Sequence, residues 1–524
     1  MHELQFLLVA QGLAPRLNHP ERLAGALSAA TEMEVYPASL TGCDCVIYFL
    51  ARSRYDRHLG LAYEAAAVPA AVGAFEGTAE SRKVEGIEVA AKLCPLTHGN
   101  AVELRRRLPF LVPQCLGLAP SFGLGDRLGL ATPGHVRAVR GSGLRPVFAQ
   151  QSIREMTRTG RSPQRVLDDA VWGVFAEGFR DGFGADADHL KSAEDVDACV
   201  DAGFTMFTID PSAQVDAAAD AAAPGALAEK FRNLPWDGLE TSPTDCRAFY
   251  LANPPDVVGV KIAFSESTLM RAASKYGAAI AQTVRLYRHL ATRKGAQPFE
   301  LEVSVDETAT ATSLAEHYYV ACELRRLGVR WVGLAPRFIG EFEKGVDYKG
   351  EPAAFDHSFA QHAAVARALG PYKLSLHSGS DKFAVYGSIA RHAGDLLHIK
   401  TAGTSYVEAL HAIATVDSEL FKEILDFARA HYDKDRASYS VSANLAKIPA
   451  SAELKKTQLV QLFESRDARQ VLHVTYGSVL GAKNEDGSYR FRDRLLALLR
   501  EHEDLYARFL ERHLGRHIAP FRRH

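Results

Sequence analysis

GFGADADHLKSAEDVDACVDAGFTMFTIDPS, Gly182 to Ser212, is the stretch that settles how this chain folds. It opens on a short strand-like run (182–192), passes into SAEDVDACVDAG (192–203) and returns to an apolar run, GFTMFTIDPS (203–212). Ser192 stands where a helix N-cap belongs, acids fill the first turn behind it, and Gly203 suits the closing position. A strand, a helix and a second strand in so short a span imply parallel pairing through a crossover. Both strands end in chemistry: Asp188, His189 and Lys191 on the first, Asp210 on the second.

The same rhythm extends in both directions. Upstream lie CLGLAPSFGLG (115–125) and RPVFAQQS (145–152). Downstream lie PFELEVSVDE (298–307), VRWVGLAPRF (329–338), YKLSLHSGS (372–380) and LLHIKTAGT (396–404). Helical segments such as SPQRVLDDAVWGVFAEGF (162–179) fall between them. Eight strand–helix units predict an α/β fold of the TIM type, a (β/α)8 barrel over residues 111–404. An open, doubly wound sheet is the competitor, but no G-x-G-x-x-G follows the first strand. An insertion after the fourth strand covers 213–296, Ala/Asp-rich at its start and ending in a long amphipathic helix. Residues 1–110 read as an α/β extension containing the strand CDCVIYFL (43–50), and 405–524 as a mainly helical region. Both flanks are expected to serve packing and homo-oligomer contacts.

Bulk properties narrow the class. The 524 residues are 47% hydrophobic and 24% charged with a net charge of −2, so nothing favours nucleic acid or an anionic membrane surface as partner. The seven cysteines are scattered, and the lone C-x-C at 43–45 is a poor zinc signal, so reduced thiols in a cytoplasmic protein are expected. The N-terminal residues lack the pattern of a secretory signal, and no apolar run is long enough to span a membrane. The basic end RHIAPFRRH (516–524) reads as a solvated tail.

In such a barrel, catalytic groups gather where the strands end and the loops are free. The expected rim carries Asp126 and Arg127, then Gln150 and Gln151, then Asp188, His189 and Lys191, then Asp210. Glu302, Asp306 and Glu307 follow, then Arg337, then His377, Ser378, Asp381 and Lys382, and last His398 and Lys400. Carboxylates and neutral imidazoles together suit a divalent cation such as zinc, manganese, nickel or cobalt, with His189, Glu302 and His377 as the expected ligands. Arg127, Lys191, Arg337, Lys382 and Lys400 form a cationic side that suits an anionic substrate. Gly379 would let the chain turn close to that substrate.

Several of these stretches resemble one family. GDRLGLATPGH (125–135), ADADHLKS (185–192), GFTMFTIDPS, EVSVDET (302–308), LHSGSDKFAVY (376–386), HIKTAGTSYVEAL (398–410) and VTYGSVL (474–480) are similar to the tagaturonate epimerase family. The resemblance runs from about 110 to 480. It implies a metal-dependent isomerase that interconverts D-tagaturonate and D-fructuronate in hexuronate breakdown, or, as in some relatives, fructose and tagatose. The inverted carbon lies beta to the ketone, so its hydrogen is not acidic and enolisation alone cannot invert it. Retro-aldol cleavage and re-closure can. Asp306 or Asp188 would then move the hydroxyl proton, Lys400 would neutralise developing charge, and Arg127, Arg337 or Lys382 would hold the carboxylate end. Asp126, Gln151, Lys191, Asp210, Ser378 and Asp381 complete the expected substrate contacts. Three rivals remain open at this point: transient oxidation by bound NAD, a metal-dependent ketose aldolase, and a non-catalytic sugar-acid binding protein.

Overall fold

The computed structural model describes residues 3–54 and 56–522. Its first strands are β1 (Glu34–Val35), β2 (Thr41–Cys43), β3 (Val46–Arg52), β4 (Arg57–Glu64), β5 (Thr78–Val84) and β6 (Ile87–Pro95). They form one antiparallel sheet in the order β1-β3-β4-β6-β5, with β2 paired to β3. CDCVIYFL is therefore a hairpin rather than one strand. Asp44 and Cys45 turn it with φ of 50° and 62°, and all seven cysteines are free. Alternation gives the sheet two apolar faces. Ile47, Phe49 and Ala51 pack with Leu4, Leu7, Leu23 and Leu27, while Tyr48, Leu50, Leu59 and Leu61 join the core of the barrel.

The barrel strands are β7 (Ser121–Leu124), β8 (Arg145–Ser152), β9 (Gly184–Leu190), β10 (Met206–Ile209), β11 (Glu300–Val305), β12 (Gly333–Pro336), β13 (Lys373–Leu376) and β14 (Leu397–Thr401). All pair in parallel, and β14 closes onto β7 through His398 opposite Ser121 and Ile399 opposite Phe122. Closure excludes the open sheet. Ser192 caps the helix Ala193–Ala202 by accepting from the Asp195 amide, and Gly203 ends it at φ 96°. The long amphipathic helix, Glu266–Lys294, is the crossover between β10 and β11, so it belongs to the barrel's helical ring. Two shorter helices, Pro224–Arg232 and Pro243–Ala252, precede it. No helix among the described residues is long and apolar enough to cross a membrane. Residues 516–522 of the basic end dock rather than fray: Ile518 and Phe521 are buried, and the Phe521 ring lies 5.5 Å from that of Tyr386, while Arg523 and His524 lie outside the described residues.

Residues alternate along the barrel strands between the helix-facing apolar core and the barrel interior. On β11, Leu301, Val303 and Val305 join the apolar core, whereas Glu302 reaches Lys400 on β14 and Thr208 on β10. Gly333 makes room for this: a Cβ there would come within 2.6 Å of Glu302 Oε2.

Buried neutral histidines carry a consequence for stability. His317 and His362 meet Nδ1 to Nδ1 at 2.8 Å, so one ring must donate and the other accept. Burial presses His362 and His135 down to about 4 and His317 below its ordinary value as well. The unfolded chain takes up these protons below its ordinary histidine pKa, but the fold refuses them. Stability is therefore fully present above that value and lost as pH falls toward 4, by up to about 1.4 kcal/mol per pH unit for each ring. The urea midpoint should drop between pH 7.5 and pH 5, and an unchanged midpoint would show these rings to be charged in the fold.

Candidate active site

Lys400 stands at the centre of the barrel mouth. Its Nζ lies 2.7 Å from Asp186 Oδ2, 2.7 Å from Asp188 Oδ1 and 2.8 Å from Glu302 Oε1, and it donates to Thr208 Oγ1 at 2.7 Å. Burial opposes its charge, but the three carboxylates hold its pKa well above the ordinary lysine value. Asp186 and Asp188 both reach it because alternate residues of β9 face the same way.

His377 follows β13 and is clamped between acids. Its Nε2 donates to Glu302 Oε1 at 2.6 Å and its Nδ1 lies 3.4 Å from Asp306 Oδ1. Burial and Lys400 both disfavour its protonation, yet Asp306 and Glu302 outweigh them and lift it to about 10. His189 donates from Nδ1 to Asp210 Oδ2 at 2.9 Å, with Nε2 3.9 Å from Asp188 Oδ2. The two imidazoles stand edge to face, 5.0 Å between centroids.

A strand irregularity creates this pairing. In a regular strand Asp188 and His189 would point to opposite faces. Here the register of β9 against β10 slips next to them and His189 adopts φ 54°. Bulges of this kind re-aim a side chain, and strained backbone collects at functional sites. As a result, one ligand atom from each of Asp188, His189 and His377 lies within 4.8 Å of the other two.

Two cavities open over the cluster. One, of about 280 Å³, is lined by His189, Asp306, Arg337, Lys344, His377 and Ser378 among others. The second, of about 290 Å³, has Lys191 and Asp210 in its wall. Arg154, His189 and Glu307 line both, and Arg154 pairs with Glu307 at 3.4 Å.

Other expected site residues are already held by protein partners. The Asp126 carboxylate accepts the amides of Leu128, Gly129 and Ala131, so it shapes its own loop. Arg127 is buried, paired to Glu155 at 2.8 Å with its guanidinium 3.6 Å from the Tyr476 ring centroid. Gln151 donates to Glu155, and its neighbour Gln150 lines a recess of the mouth together with Arg127. The Lys382 ammonium is buried and donates to the carbonyls of Glu343, Val346 and Ser380. Gly379 lies against β14, where a Cβ would come within 2.5 Å of Ile399, so close packing and not substrate demands glycine there.

Asp381 joins a separate buried network, 3.0 Å from Arg469 and 2.8 Å from His513, which ties the end of β13 to the C-terminal helix. Against the burial that would raise it, Arg469 and His513 hold its carboxyl well below the usual range. Asp381→Asn keeps the backbone's φ of 59° accessible and removes only the charge. It should cost about 3 kcal/mol by leaving the buried Arg469 guanidinium with Glu408, 3.5 Å away, as its remaining carboxylate. A lowered unfolding midpoint with an unaltered KM is expected, and a raised KM with unaltered stability would return Asp381 to the substrate.

Asp186, Arg154, Lys344, Tyr439 and His473 line or support the mouth without having been singled out from sequence. Asp186 carried a signal, since it lies two residues before Asp188 on one strand. Lys344, Tyr439 and His473 come from segments outside the strand rhythm.

A closed barrel with acids, imidazoles and a buried lysine at its C-terminal mouth defines a (β/α)8-barrel enzyme. The family model for tagaturonate epimerase (UxaE) matches residues 36–521, and the chain belongs to that family. It is 45% identical over 485 residues to the tagaturonate/fructuronate epimerase of Thermotoga maritima, covering 93% of this chain and 96% of that one. The native crystal structure of the fructuronate-tagaturonate epimerase UxaE from Cohnella laeviribosi superposes with a TM-score of 0.87 at 38% identity, covering 96% of this chain and 99% of that one. A glycerol complex of the same enzyme gives the same TM-score at 37% identity. The chain is thus an isomerase of the carbohydrate epimerase type.

Proposed function

We propose that this chain interconverts D-tagaturonate and D-fructuronate by breaking and re-forming one carbon–carbon bond. The observation that carries the reading is the convergence of Asp188, His189 and His377 on one point, with Lys400 and Asp306 beside them.

The donor set suits a divalent cation. Asp186, Asp188, Asp210, Glu302 and Asp306 crowd the mouth, Lys400 is the central ammonium among them, and Glu302 Oε2 is buried without a hydrogen-bond partner. Asp188, His189 and His377 would hold the metal, with Glu302 fixing the His377 ring from behind as outer-shell carboxylates do. Bound there, it would act as a Lewis acid toward the sugar's ketone and neighbouring hydroxyl.

The remaining steps belong to the protein. Asp306 lines the main cavity and stays ionised, held down against burial by His377, so its carboxylate accepts the proton of the hydroxyl on the inverted carbon. The bond between that carbon and its neighbour breaks, its electrons pass to the ketone to give an enediolate, and an aldehyde forms. Lys400 keeps the site's positive potential next to the enediolate. After the aldehyde half-turns within the cavity, the enediolate attacks its other face and Asp306 returns the proton.

The test is product analysis with tagaturonate, and separately with fructose, after dialysis against chelator and reloading with single metals. The six-carbon epimer alone is expected from tagaturonate. Accumulating three-carbon fragments would make the chain an aldolase, and no turnover would leave it a binding protein. Deuterium on the inverted carbon should be retained without a primary isotope effect, whereas a primary effect would indicate transient oxidation instead.

A further inference from the structure

We infer that Lys344 grips the substrate's carboxylate and thereby selects a sugar acid over a neutral ketose; this rests on the epimerase reading above. The cations around the mouth differ in what already holds them. Lys400 has three carboxylates, Arg127 has Glu155, and Lys191 has Asp210 at 3.1 Å. Arg154 pairs with Glu307, and Arg337 with Glu341 and the Thr308 carbonyl. Lys382 is spent on backbone carbonyls. Lys344 alone among these lines the main cavity with no carboxylate within 4.0 Å among the described residues. Among the described residues its Nζ donates only to Ser378 Oγ, at 2.9 Å.

Its placement suits the role. Lys344 lines the main cavity and two adjoining recesses that also contain His377 and His473. Ser378, which it touches, follows His377 directly, so the ammonium sits one residue from a proposed metal ligand. The loop that carries it is anchored from the C-terminal region. Gln470 Nε2 donates to the Lys344 carbonyl and to Glu343, and Lys349 and Ser442 hold the same Glu343 carboxylate. A half-buried ammonium pre-positioned in this way, with free donors, is completed by a carboxylate at the far end of a chain whose ketone lies over the His189–His377 pair. Neutral ketoses carry a hydroxymethyl group there and would leave the charge unpaired.

The experiment compares Lys344→Met, Lys344→Gln and Lys344→Arg with wild type, using galactonate and galactitol as inhibitors that differ mainly in the acid group. Loss of one charge-assisted contact predicts galactonate binding about 100-fold weaker in both neutral variants, with galactitol little changed and arginine restoring most of the loss. kcat/KM on tagaturonate should fall in parallel through KM. The assignment is overturned if both inhibitors weaken equally, if galactonate is unaffected, or if Arg337→Met discriminates between them more strongly than Lys344→Met. Discriminating inhibition by a wild-type protein that turns over no uronate would instead sink the epimerase reading and leave the Lys344 assignment standing.

Discussion

His377→Ala is expected to lower turnover by at least about 10⁴-fold, the equivalent of the several kcal/mol that a correctly held cation contributes to a charged transition state. Bound metal should fall to background in the same preparation. The reason lies in the geometry: His377 is the ring that Glu302 and Asp306 hold from two sides and that completes the cluster with Asp188 and His189. Stability should change far less, by about 1–3 kcal/mol, because Glu302 keeps Lys400 as its partner. His189→Ala should behave alike, with Asp210 left to Lys191 and the Ser212 amide. Metal content and initial rate measured on one sample decide the matter. A variant with stoichiometric metal and activity within tenfold of wild type would remove His377 from the proposed ligands.

Lys400→Met should produce the second large effect, this time on the fold as well as the rate. The substitution keeps the side chain's length and removes the one ammonium shared by Asp186, Asp188 and Glu302, all of them buried. Removing one partner from a buried ionic group costs about 3–5 kcal/mol, because here Asp186 would keep only the Thr208 hydroxyl while Asp188 and Glu302 would keep only imidazoles as ion-pair partners. Burial already pushes Asp186 up to about 6, with Lys400 resisting it and Asp188 and Glu302 adding to the push. Asp186→Asn in the Lys400→Met background should therefore recover part of the lost stability, a coupling expected only of groups in one network. Urea midpoints of the two single variants and the double variant give the answer. Strictly additive losses would mean that Lys400 and Asp186 do not share their charge as the distances imply.

The barrel was legible because its signals are local. Capping at Ser192, closure at Gly203 and the repeated passage from apolar strand to polar edge each depend on residues a few positions apart, and all eight strands lie inside the segments read from the chain. The candidate cluster was legible for a related reason: in a parallel barrel, consecutive strand ends share one rim, so Asp188, Lys400 and His377 could be grouped by topology. Arg154, two residues past the end of β8, is one charge more than the expected rim carried, whereas Lys344 and Tyr439 escaped because nothing in their neighbourhoods marks them. Their relevance comes from loops and a C-terminal region that fold back over the mouth. Asp126, Arg127, Lys382 and Asp381 show the converse. Each stands where the rhythm calls for a rim residue, but their charges are consumed by backbone amides, Glu155, backbone carbonyls and Arg469 respectively.

Chain order and residue type alone were enough for the (β/α)8 architecture, the rim as the place of chemistry and the kinds of group found there, since hydrophobic period and helix capping act over one or two turns of chain. Which of those groups touch was decided only in three dimensions. The slipped register that turns His189 toward Asp188, the convergence of three acids on Lys400, and the contact of Lys344 with Ser378 and with no carboxylate among the described residues all join residues scores to hundreds of positions apart or hinge on one backbone angle. Local pattern cannot carry that information: the partner that neutralises a buried charge is chosen by packing, and packing is a property of the whole barrel.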